Sequence, residues 1–232
     1  MKFSAFLTGA AVLALVLPAH AESSLNISGI RLGATPDQAR AAAAAANPKY
    51  VFSDLRRAGE EKVAGFEAKD DPRKVFPPDL LKVIFDERNA TWFVYREQRY
   101  ETGSRPTKEA TLAALKEKYG EPSFTDVDVL RGLASWQFDR AGKIYKGARG
   151  QAPCPGTRNR GSTPEKFGER CGSFVQAQWN FMNPEKLVEQ LQVTIVETQH
   201  VYDALKQQQD AADSAKKNAL DAERAKAVKP KL

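Results

Sequence analysis

The sequence has few of the side chains that carry most catalytic and metal chemistry. Two cysteines, two histidines and three tryptophans occur among its 232 residues. His20 falls in an N-terminal stretch with the features of an export signal, so the mature chain keeps only His200. A Ser-His-Asp or Cys-His arrangement would have to use it, at the junction of a strand and a polar helix, where a plain surface histidine is the expectation. Zinc would need further ligands at spacings that do not occur. There is no G-x-S-x-G elbow, no P-loop and no G-x-G-x-x-G, and no cofactor is expected. Long hydrophobic runs are scarce too. Residues 6–17 form a short apolar run, below the roughly 18 residues of a spanning helix, and no transmembrane segment is expected once the signal is removed.

That N-terminal stretch has the three parts of a signal peptide. Lys2 supplies the positive region, residues 6–17 the apolar region, and Ala19-His20-Ala21 the small-x-small cleavage site, so residues 1–21 are expected to be removed. A retained N-terminal anchor is the alternative. No cysteine follows the apolar run, so nothing indicates a lipid-modified N-terminus. The expected compartment is the periplasm of a Gram-negative bacterium, or the exterior. The formal charge of +6 includes one lysine in the signal. A mildly basic chain permits attraction to anionic surfaces without demanding it. An exported chain with no known reader motif is not expected to bind nucleic acid.

Cys154 and Cys171 both belong to the mature chain. In an oxidising compartment the simplest outcome is one disulfide, worth about 3 kcal/mol in the chain-entropy model. A redox pair or a metal site is the alternative; redox motifs favour CxxC, and no accompanying His/Cys set stands at zinc spacing.

About 210 mature residues suffice for one domain or two small ones. Residues 27–33 suggest a short extended segment. Thr35-Pro36-Asp37-Gln38 then carries a helix start, with Thr35 as N-cap, Pro36 at the first helical position and Gln38 completing a capping box. The alanines through Ala46 have high helix propensity but little apolar surface, so this helix must pack close to something flat. Strands are expected at 49–55 and 63–68, and a hairpin at 80–85 and 91–100 with its turn at 86–90. A second helix spans 107–119, with Thr107 as N-cap, a stripe of Leu112, Leu115 and Tyr119, Gly120 at the left-handed C′ position and Pro122 beyond it. Strands follow at 133–138, 174–182 and 187–198; Val175, Ala177, Trp179 and Phe181 alternate with Gln176, Gln178 and Asn180. From residue 200 onward Ala, Lys, Gln, Asp and Glu dominate, which predicts a long solvated helix; no heptad of large residues supports a coiled coil.

The order implies an α+β fold: an antiparallel sheet with helices packed on one face, and a polar C-terminal helix. It divides into 22–104 and 105–199, each a helix followed by strands, then 200–232, with a basic disulfide loop at 139–172. The approximate repeat suggests two helix-plus-sheet units joined in one sheet.

Gly29-Ile30-Arg31-Leu32-Gly33-Ala34-Thr35 resembles the Gly-x-x-Leu-Gly-small-Thr/Ser helix start of bacterial envelope modules, and Lys118-Tyr119-Gly120-Glu121-Pro122 resembles their YGxP helix exit. These are the β-lactamase-inhibitor-protein-like and SmpA/OmlA-like domains. The resemblance covers about 25 residues and the order of elements, and implies helices against an antiparallel sheet and binding of envelope proteins rather than catalysis. The lipid-bearing cysteine of the SmpA/OmlA lipoproteins is absent here, and the basic insert lies outside their pattern.

Two surfaces are candidates for binding. The segment 139–170 carries eight basic residues, Arg149, Arg158, Arg160 and Arg170 among them, against Asp139, Glu165 and Glu169. It reads either as an anion-recognition loop or as a solvated, stapled insert. The second is the sheet face away from the helices, where Phe93 and Tyr95 are expected to be exposed because two short helices cannot cover both faces. Each Trp-x-Phe pair, Trp136/Phe138 and Trp179/Phe181, is expected in the core. Carboxylate pairs such as Asp126/Asp128 and Glu60/Glu61 leave a hydrolase conceivable, though loop carboxylates are ordinarily solvated. The reading that follows is a non-catalytic binding or inhibitor-like module recognising an envelope protein or an anionic surface ligand; an envelope-assembly or cell-wall accessory factor is the alternative, and a periplasmic hydrolase a further one.

Overall fold

A computed structural model describes residues 25–57, 59, 61–154, 161–164, 166, 168–181 and 187–226. The signal segment, Glu60, Arg158 and Arg160 lie outside the described residues.

The architecture is α+β. A two-stranded ribbon, β1 (Asn26–Ile27) and β2 (Ile30–Arg31), turns through Ser28 and Gly29, both at positive φ. Helix α1 (Pro36–Ala46) starts on the expected capping box: Gln38 N–H donates to the Thr35 hydroxyl, and Thr35 N–H to Gln38 Oε1 at 3.0 Å. It buries only Ala39 and Ala43, which lets it lie close to the sheet. A meander follows: β3 (Val51–Arg56), β4 (Val63–Lys69), β5 (Asp79–Phe85) and β6 (Thr91–Arg99). Helix α2 (Lys108–Tyr119) introduces a second meander of β7 (Phe124–Val127), β8 (Arg131–Asp139), β9 (Cys171–Asn180) and β10 (Gln190–Glu197). The strands form one antiparallel sheet in the order β3-β4-β5-β6-β10-β9-β8-β7. The two meanders meet at β6 and β10, paired from Gln190↔Arg99 to Val196↔Phe93. Strand β7 was not expected from the sequence: three of its four residues are exposed, so no period-two pattern marks it.

Thr107 caps α2 by accepting from Ala110 N at 3.1 Å. Leu115 is buried, and Leu112 and Tyr119 pack at the edge of the same core. The Tyr119 ring meets Trp136 at 5.5 Å, its hydroxyl donates to Asn26 O at 2.9 Å, and Trp136 Nε1 donates to Gly120 O at 2.8 Å. Gly120 adopts φ 77°, ψ −166°, not the left-handed helical conformation expected. An extended ψ turns the chain straight toward β7, and L-residues with a side chain rarely adopt that region.

The helix-side face buries the main core. Phe66, Leu81, Val83, Val94, Trp136, Val175, Ala177, Trp179, Phe181 and Ile195 all belong to it, as the alternation along β9 predicts. The expectation that Phe93 and Tyr95 are exposed is corrected: they are 0% and 3% accessible. They sit in a second cluster with Phe174, Val196, Cys154 and Cys171, on the other face. What covers this cluster is not a helix but the insert, held down by the Cys154–Cys171 disulfide. Helix α3 (Gln199–Ala225) has no buried residue and carries exposed His200 in its first turn. Among the described residues, no helix is long and apolar enough to cross a membrane.

Candidate functional site

The face opposite α1 and α2 divides into a covered half and an open half. In the covered half, β6 presents Phe93 and Tyr95, and β10 and β9 present Val196 and Phe174 alongside them. Gln137, 2% accessible on β8, binds both backbone groups of Cys154: Nε2 donates to its carbonyl at 3.0 Å, and Oε1 accepts its N–H at 2.9 Å. A side-chain amide thus acts as one more strand rung and fixes where the disulfide loop begins. Gly161 lies against the Tyr95 ring, and its carbonyl accepts from Lys82 Nζ at 3.3 Å. Nothing local in the sequence marks Gln137 for this role, because its partner is in a loop.

Further along the same face the side chains become polar. Glu97 on β6 accepts from the Tyr95 hydroxyl at 2.6 Å and from Gln192 Nε2 at 2.8 Å, and Arg99 Nη2 stands 2.6 Å from its other oxygen. Burial opposes its ionisation, yet the bonds from Tyr95 and Gln192 and the charge of Arg99 outweigh that and hold the carboxyl below its ordinary range. On the next strands, Asn180 Nδ2 donates to Gln190 Oε1 at 2.8 Å.

This polar belt ends in a cleft of about 990 Å³ that three arginines from three elements enter: Arg99 at the end of β6, Arg105 ahead of α2 and Arg131 at the start of β8. Each has an acidic neighbour: Glu97 for Arg99, Glu189 for Arg105 at 3.4 Å, Asp128 for Arg131 at 2.9 Å. The cleft is rimmed by large apolar side chains left in water: Phe76 is 67% accessible, Val129 74% and Leu130 55%. Arg99 lies over the Phe76 ring, 4.7 Å from its centroid. A groove of about 400 Å³ continues from the cleft along β8 and β9, sharing Asp128, Arg131, Asn180 and Gln190 with it.

Of the candidates read from the sequence, Arg149 lines that groove, paired with Asp126 at 2.8 Å and stacked over Phe124. Arg170 is exposed and donates to Gln151 O at 3.2 Å, away from the cleft. Phe93 and Tyr95 are beneath the loop, and Arg158 and Arg160 lie outside the described residues. Arg99, Arg105 and Arg131 escaped the sequence reading because they are scattered singly along the chain and converge only through strand pairing.

Asp126 and Asp128, considered as a hydrolytic pair, are instead split between Arg149 and Arg131. His200 opens onto a different groove, of about 580 Å³, beside Asp86, Asp139 and Glu197. There Asp86 accepts from the amides of Arg88 and Ala90, Asp139 from those of Ala141 and Lys143, and Glu197 from those of Gln199 and His200 at the start of α3. Burial pushes the Glu197 carboxyl up, against the opposing pull of His200, these amides and Arg88. Among the described residues, no group of three or more His, Cys, Asp or Glu could hold a metal ion.

No family model matches the chain, and no similar curated protein or solved structure was found.

Proposed function

We propose that this chain is an exported, non-catalytic binding module of the periplasm that docks an envelope protein on the loop-bearing side of its sheet. The observation carrying this reading is the cleft itself: Phe76, Val129 and Leu130 stand in water around Arg99, Arg105 and Arg131. Exposed apolar side chains gathered at one spot mark interaction surfaces more than singly scattered ones do. Aromatic residues and arginines are also the side chains most enriched at the energetic centres of protein interfaces. The carboxylates beside each arginine keep the cleft from being a simple anion trap, so the partner it suits presents an apolar residue flanked by charges of both signs. Export is supported by the signal-like residues 1–21 and by a disulfide that belongs in an oxidising compartment. The short likeness to envelope-binding modules points the same way.

The test is retention of periplasmic proteins by the immobilised chain, compared with a Phe76→Glu/Leu130→Glu variant that melts at the same temperature. Loss of a salt-sensitive partner in the variant supports the reading. A partner retained equally by both places the docking surface elsewhere.

A further inference from the structure

On the opposite face, between α2 and the sheet, lies a pocket of about 290 Å³, just under the usual range for drug-sized ligands and suited to a smaller one. Among the described residues it shares only Tyr100 with the arginine cleft. Two cations line the pocket. Arg96 enters from β6 and Lys118 from α2, and no acidic residue is among the described residues lining the pocket. Arg96 uses Nε and Nη2 on Asp79, and Nη1 donates to Ser28 Oγ at 3.0 Å, so its charge is answered from behind. Lys118 has no such answer: among the described residues its ammonium makes only a ring contact, 5.5 Å over Tyr119. Partial burial first, and then the charge of Arg96, push its pKa down. Apolar side chains run on from there: Val193 stands directly across the β6–β10 pairing from Arg96, Leu191 lies two residues away on β10, and Leu115 is one turn from Lys118 on α2.

We propose that this pocket is a binding site for a small amphipathic carboxylate. The carboxylate seats between Lys118 and Arg96, and the hydrocarbon tail lies along Leu191 and Val193 beneath α2. A guanidinium still has N–H donors after a bidentate contact, and a lysine beside it adds a mobile point charge, a pairing suited to a carboxylate. The tail removes apolar surface from water at both partners. This site is independent of the protein-docking cleft, and neither reading requires the other.

The probe is octanoate, titrated into the protein by calorimetry and by amide chemical shifts, with octanol as the uncharged control. The expected result is saturable one-site binding that shifts Thr111, Leu115 and Val193 and is about tenfold tighter than octanol. Lys118→Met removes about that tenfold preference without lowering Tm, since Lys118 makes no hydrogen bond or ion pair among the described residues and methionine can lie over the Tyr119 ring in its place. Ala114→Phe, filling the pocket from the exposed side of α2, abolishes binding of both probes. Absence of saturation at millimolar octanoate, equal affinity for octanol, or unchanged octanoate binding in either variant overturns the proposal.

Discussion

Asp79 and Arg96 stand diagonally across β5 and β6 and form a bidentate pair, Nε to Oδ1 at 3.0 Å and Nη2 to Oδ2 at 2.6 Å. Both are largely buried, with side chains 12% and 23% accessible, on the helix-side face that otherwise holds the apolar core. Arg96 alone of the two lines the pocket beneath α2, with Asp79 behind it, and the Tyr50 hydroxyl, pushed up by burial and then by the Asp79 charge, lies near the pair.

Breaking this pair from one side leaves a buried charge without its partner. Asp79→Asn is therefore expected to cost about 3 kcal/mol in urea unfolding, and Asp79→Leu/Arg96→Met to recover most of it. An Asp79→Asn protein within about 0.5 kcal/mol of the parent would show that water already screens the site.

The disulfide holds the insert over Phe93 and Tyr95. Cys154→Ser/Cys171→Ser is expected to lower stability by about 3 kcal/mol through loop entropy. It should also expose the second cluster, read as increased binding of a hydrophobic dye and faster proteolysis within 155–170. Loss of stability without dye binding would mean that the loop stays seated through Gln137 alone.

Glu197 provides a pH signature. Its folded-state pKa is raised by burial, so the folded protein holds this proton more tightly than the unfolded chain does. Stability contributed by the group is therefore present at low pH and lost as pH rises through the folded value. Glu197→Gln retains an oxygen for the Gln199 and His200 amides and removes the charge. Its Tm should exceed that of the parent at about pH 8 and match it near pH 4, below the ordinary carboxylate value. A variant less stable at both pH values would show that the ionised cap outweighs burial.

Helix α3 buries no side chain, and its described anchor is the exposed Arg140–Asp203 pair, with Tyr202 under the Arg140 guanidinium. Exposed pairs of this kind contribute about 0.2–1 kcal/mol. Ending the chain after residue 202 should leave Tm close to that of the full chain, measured by circular dichroism after correction for lost helix signal. A large drop would mean that α3 stabilises the fold through contacts beyond this anchor.

The elements that were legible from the sequence are those whose stabilisation is local. The Thr35/Gln38 capping box, the Thr107 cap and the alternation from Val175 to Phe181 all appear where the chain indicates them. Such features depend on neighbours one to four positions away, so they can be read without knowing the fold. The conformation of Gly120 was less legible: a glycine permits several positive-φ regions, and the direction the chain must leave α2 selects among them.

The fate of Phe93 and Tyr95 shows where local reading ends. Period two placed them correctly on the face away from the helices, but their burial depends on a loop more than 60 positions later in the chain, pinned by Gln137 and Cys171. The arginine cleft is of the same kind.

By itself the sequence determined the helix starts, the strand faces and the α+β order, because caps and periodicities are written in adjacent residues. The tertiary structure alone decided which face is roofed, that Arg99, Arg105 and Arg131 share one cleft, and that Lys118 and Arg96 line one pocket. Those outcomes follow from strand order and loop closure, which bring together charges and rings that the sequence keeps far apart.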